Sequence, residues 1–296
     1  MTDDPYTDRK HLTFEQAEGV APLPSQLQLK EISAKLRAVL WRIVYDNLIE
    51  GLAHNSMGRS AYFSDEWERI LYDKHVFYDH KMADEFENRA WNLIEDLKPI
   101  FDKGDYISIF GFLQFILRHP SCPYQFDERI GGALIYSKAA YRVLDGNTII
   151  PVSSDTESAT LERAFADLAV TEFQGARSHL RGAGEQLTAG KYADSVRESI
   201  HAVESVARVL SPSGNFREAL AKLEETSGIH GGLKAGFNSI YGYTSDEKGL
   251  RHPLLEDAQA SVDETDALFM IGACAAFVSY MIHKARLAGL LKKQNR

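Results

Sequence analysis

The sequence predicts an all-α fold of two helical domains. Three observations predict it. Apolar residues recur at spacings of three and four along most of the chain. Alternating strand-like runs are nearly absent. The strongest mid-chain turn signal, Asp145-Gly146-Asn147, divides 296 residues into two lengths of ordinary domain size.

Residues 1–24 carry no apolar period and end in Pro22 and Pro24, so they read as an irregular N-terminal arm. From Gln28, the residues Leu29, Ile32, Leu36, Val39, Leu40, Ile43, Val44 and Leu48 form a helical stripe that Gly51 stops. Residues 54–80 mix turn formers with aromatics and predict no regular element. Helices are expected over 82–101, over 106–118 before Pro120, and over 126–144. The second of these, YISIFGFLQFILR, is apolar on nearly every side, which places it at the centre of the first domain. Trp41, Trp67 and Trp91 are expected to pack the same core. Thr148 to Val152 reads as a short extended segment.

Ser154 and Glu157 have the capping-box spacing and predict a helix running to about Glu172. Further helices are expected over 174–187, over 191–210 before Ser211-Pro212, and over 216–225 before Gly228. Residues 229–252 read as a short helix plus loop, and 263–292 as the last helix. The domains are therefore 25–150 and 151–296.

Composition narrows function by exclusion. With 33 basic against 42 acidic residues, the formal charge is -9, which excludes a protein that coats nucleic acid through bulk positive charge. It leaves a small, locally basic site open. Two cysteines exclude a disulfide scaffold and a four-cysteine zinc site; Cys122 and Cys274 are expected as small buried hydrophobes. The N-terminus lacks the basic and apolar regions of an export signal. The apolar run Ala267 to Ile282 spans 16 residues, short of the roughly 20 a membrane crossing needs. The expectation is a cytoplasmic protein with no membrane association. No phosphate-binding loop, dinucleotide fingerprint, nucleophile elbow or zinc-binding HExxH is present, so no cofactor and no metal site are expected.

Two places carry candidate chemistry. In VRESIHAVESVARVL (196–210), Val196, Ile200, Val203, Ala207 and Leu210 form an apolar face. Arg197, His201, Glu204 and Arg208 form an adjacent stripe that can hold a phosphate and move a proton, or simply staple the helix through i, i+4 pairs. The second place is GFNSIYGYTSDEKGLRHPLLEDA (236–258), rich in glycine and tyrosine. Its adjacent Arg251 and His252 suit RNA cleavage: arginine holds a phosphate through paired hydrogen bonds, and histidine serves as acid or base near neutral pH. The same pair can equally cap a helix end. His230, in GIHGG, is a further candidate by residue type alone.

The segments KYADSVRESIHAVESVARVL, GIHGGLKAGFNSIYGYTSDEKGLRH and DETDALFMIGACAAFVSYMIHK resemble the C-terminal half of bacterial abortive-infection proteins of the AbiJ type, a half that is similar to a HEPN domain. LKEISAKLRAVLW through ALIYSKAAYRVLDGNTIIPVSSDTE resembles their N-terminal domain. The resemblance implies an all-helical fold, a place in antiphage defence, and a metal-independent endoribonuclease acting on RNA as a homodimer through its C-terminal domain. It implies Arg251 on the scissile phosphate and His252 as acid or base, because they precede the last long helix, with Glu204 orienting one of them. Arg197, Glu198, His201, Arg208 and Tyr243 would contact substrate, and the N-terminal domain would receive a protein trigger. The chain departs from the family's motif, in which four to six residues separate arginine from histidine: three lie between Arg197 and His201, and none between Arg251 and His252. A non-catalytic helical module that binds a protein partner is the alternative.

Overall fold

The computed structural model describes residues 13–22, 25–53, 61–152, 154–211, 216–246 and 262–291. Among them are twelve α-helices and two short strands, so the fold is all-α. By compactness the chain divides between Asn147 and Thr148.

The first unit holds α1 (Phe14–Ala17), α2 (Ala34–Glu50), α3 (Asp65–Asp73), α4 (Ala90–Asp102), α5 (Tyr106–Arg118), α6 (Phe126–Tyr136) and β1 (Tyr141–Leu144). Ser33 starts α2 by accepting the Leu36 amide, and Leu36, Leu40, Val44 and Leu48 then bury one face completely. That face lies against α4 and α6, and α4 lies against α5. Arg37 closes the end of α4: its Nη1 donates to the carbonyls of Phe101 at 2.9 Å and Gly104 at 2.5 Å. These carbonyls would otherwise lack partners at a helix terminus. α5 is capped by Asp105, which accepts from the Ser108 amide at 2.8 Å, and buries six of its apolar residues.

Several boundaries differ from the sequence reading. A helix, α3, and a π-helical turn (Lys74–Tyr78) occupy the segment expected to be irregular. Trp67 of α3 fills the core there. The helix expected from 82 starts only at Ala90, after a 3-10 turn at Ala83–Glu85. α6 stops at Tyr136, because Lys138 adopts φ 51° and the chain leaves the helix for β1. Of the tryptophans, Trp67 is buried, Trp41 half-buried against Phe101, and Trp91 exposed on α4, contrary to its expected core role. Asp145 and Gly146 both have positive φ, and the Asn147 amide closes on the Leu144 carbonyl. That is a type I′ turn, which Asp-Gly favours.

The second unit holds β2 (Thr148–Pro151), α7 (Asp155–Asp167), α8 (Gln174–Thr188), α9 (Tyr192–Leu210), α10 (Phe216–Ser227), α11 (Gly231–Asp246) and α12 (Glu264–Leu287). Ser154 caps α7 by accepting from the Glu157 amide, as the capping-box spacing predicts, but α7 ends at Asp167 rather than near Glu172. α11 is longer than the short helix expected there. α12 is long and apolar enough to cross a membrane by length and composition, yet 61% of its apolar window is buried among α7, α8, α9 and α10. It is the unit's core helix.

Candidate functional site

The site begins with the antiparallel packing of α8 on α9, the most extensive helix pairing among the described residues. Val196, Ile200, Val203, Ala207 and Leu210 bury the α9 face that the sequence pattern marks. Ala176, Leu180, Ala183 and Leu187 bury the matching face of α8. Ser195 Oγ donates to the Ala183 carbonyl at 2.8 Å and fixes the register. Gly175 permits the close approach, since a Cβ there would sit 3.0 Å from Ser205 Oγ.

This register sets His179 of α8 opposite His201 of α9. The imidazole centroids are 5.2 Å apart at 64°, edge to face. Glu198, one turn before His201 on the same face, joins both rings. His179 Nδ1 lies 2.7 Å from Glu198 Oε2, and His201 Nδ1 lies 3.9 Å from Glu198 Oε1. The three side chains retain 40%, 35% and 32% exposure, enough for a ligand to reach them. A carboxylate accepting from Nδ1 fixes the tautomer of His179 and leaves its Nε2 lone pair available as a base. Two imidazoles and a carboxylate, with one ligand atom each, all lie within 4.8 Å. The set can shuttle protons or hold a divalent ion.

The sequence-predicted residues are distributed unevenly about this centre. Glu198 and His201 are in it. Arg197 shares the helix face of His201, one turn away, and its Nη1 pairs with Asp194 Oδ1 at 2.6 Å. Glu204 is engaged elsewhere, accepting from the Tyr241 hydroxyl of α11 at 2.7 Å, while Tyr241 stacks on Phe216 at 4.4 Å. Arg208 is exposed at the end of α9, and Tyr243 is half-buried on α11. Arg251 and His252 lie outside the described residues. His230 is exposed, and its Nδ1 accepts the Gly232 amide at 3.1 Å, a local turn contact.

His179 is the member that sequence reasoning missed. It borders the apolar face of α8, a pattern visible in the sequence, but its partner Glu198 is 19 residues on, and only the interhelical register joins them. The absence of an HExxH motif within one helix therefore does not exclude a metal-ligating set.

A family model described as AbiJ N-terminal domain 4 matches residues 12–167. The match ends with the last residue of α7, so the His179, Glu198 and His201 centre lies beyond it. No curated protein and no solved structure matches the chain.

Proposed function

The chain belongs to the AbiJ N-terminal domain 4 family, and from that premise we propose that it acts in abortive infection, as an antiphage defence protein whose second unit is a HEPN-like, metal-independent endoribonuclease. The observation that carries the nuclease reading is the pair of imidazoles on one carboxylate across α8 and α9.

The chemistry follows from the two rings. Neutral His179, oriented by Glu198, takes the proton of a ribose 2′-hydroxyl through Nε2. The resulting oxygen attacks the adjacent phosphorus, and the bond from phosphorus to the 5′-oxygen breaks. Protonated His201 gives its proton to that leaving oxygen. The products are a 2′,3′-cyclic phosphate and a 5′-hydroxyl. Both proton transfers need groups that titrate near neutral pH, as histidine does. Arg197, on the His201 face, supplies positive charge to the phosphate as it becomes more negative. A net charge of -9 keeps idle affinity for RNA weak, so engagement depends on such local cations.

The test is cleavage of defined oligoribonucleotides by the purified full chain in EDTA. Each of His179→Ala and His201→Ala is expected to slow it by about 10²- to 10⁴-fold, the usual worth of a general acid or base. Arg251→Ala, run in parallel, tests the pair that the family resemblance singles out. Cleavage untouched by both histidine variants overturns the site; no cleavage under any condition leaves the helical interaction module.

A further inference from the structure

We propose that His179, Glu198 and His201 form a binding site for one divalent transition-metal ion of the Zn²⁺ class. Two imidazoles and one carboxylate are a donor set that borderline ions prefer, whereas Mg²⁺ and Ca²⁺ favour oxygen alone. Three protein ligands leave the fourth tetrahedral position to water.

The geometry lies close to what the ion requires. Metal-ligand bonds of about 2.0–2.2 Å put tetrahedral donor atoms about 3.3 Å apart. With one donor atom from each residue, the three ligand atoms lie within 4.8 Å of one another and must close on the ion, while His179 Nδ1, 2.7 Å from Glu198 Oε2, must part slightly from that oxygen. Side-chain rotation supplies both adjustments without moving a helix. The backbone positions are fixed by packing: Glu198 and His201 are spaced i, i+3, and His179 is held opposite by the α8–α9 register.

Binding by itself needs no assumption about catalysis. One consequence rests on the endoribonuclease reading: an ion on the Nδ1 of each imidazole displaces the Nδ1 proton and leaves the hydrogen on His179 Nε2, where cleavage needs a lone pair, so Zn²⁺ silences the site and a chelator restores it.

The experiment titrates ZnCl₂ into the chelator-stripped full chain by calorimetry, without RNA. One ion per chain is expected. Affinity should fall at least about 100-fold in His179→Ala, Glu198→Gln and His201→Ala. His230→Ala should leave it unchanged and so controls for adventitious binding by other histidines. Far-UV circular dichroism checks that each variant folds, and His201→Gln repeats the test at nearly constant volume. Absent binding, or binding equal in all variants, overturns the proposal. If the ion binds through the three residues but the chain cleaves no RNA in EDTA, the metal site stands and the nuclease reading falls. If histidine-dependent cleavage occurs and Zn²⁺ neither binds nor inhibits, the reverse holds.

Discussion

Cys274 sits within the buried face of α12, and burial pushes its thiol up to about 12. Cys122 is half-buried and is raised to about 11, by burial first and then by the charges of Asp127 and Glu66. The thiolate is the reacting form. Iodoacetamide at pH 8 should therefore label Cys122 slowly and Cys274 only after unfolding, as intact-mass measurement would show; rapid labelling of Cys274 in folded protein would contradict its burial. The linkage has a definite sign. Below the ordinary thiol value near 9 both states hold the proton, and Cys274 imposes no pH dependence. From there up to about 12 only the unfolded chain ionises, so stability falls as pH rises. A second residue-scale prediction concerns Asp167, 8% exposed, whose Oδ1 accepts from Arg286 Nη1 at 2.9 Å. Arg286→Ala removes the hydrogen bond to a carboxylate held between α7 and α12, leaving it His283 Nε2 at 3.5 Å from Oδ2, and should cost about 2 kcal/mol in urea denaturation. Arg42→Ala, which breaks an open surface pair with Asp46, should cost less than about 0.5 kcal/mol.

At the scale of elements, two helical glycines should respond to alanine in opposite directions. A Cβ on Gly184 of α8 would meet Ile150 Cγ2 of β2 at 2.5 Å, so Gly184→Ala should destabilise by about 1–3 kcal/mol. A Cβ on Gly132 of α6 meets nothing within 4 Å, so Gly132→Ala should stabilise by about 0.5–1 kcal/mol through a less flexible unfolded chain. Thermal melts of the two variants decide this; shifts of the same sign would sink the packing account. The same local logic explains what was legible. α5 could be read residue for residue, because Asp105 caps it, its apolar run is continuous and Pro120 follows shortly. The buried stripe of α9 was legible from its 3.6-residue period. α3 was hidden by its short length beside aromatics and turn formers, although Trp67, Ile70 and Leu71 mark its buried side. The end of α6 was lost because no proline or glycine announces the exit; Lys138 turns the chain without a sequence signal. The centre of the candidate site was half legible. Glu198 and His201 share a helix face that periodicity reveals, whereas His179 joins them through interhelical register, which no local pattern encodes.

At the scale of the whole molecule, the family match and the compact units end in different places. The match runs to Asp167 and takes in β2 and α7, whereas compactness assigns both to the second unit. Packing favours the compact division as the limit of independent folding. Leu161, Ala164 and Phe165 of α7 are buried, and α7 packs on α12, far outside the match. Burying a leucine or phenylalanine side chain is worth about 1.5–3 kcal/mol. A fragment ending at Asp167 would keep that apolar face and lose the helix that covers it, together with the Arg286 partner of Asp167. Exposed contiguous apolar surface drives association. A fragment ending at Asn147 keeps the faces of α2, α4, α5 and α6 that bury one another. The shorter fragment should run as a monomer with a cooperative melt in light scattering and calorimetry, while the longer should self-associate. A monomeric, cooperatively melting fragment ending at Asp167 would show instead that α7 finds its cover within the family domain, and that α12 competes for a face already satisfied.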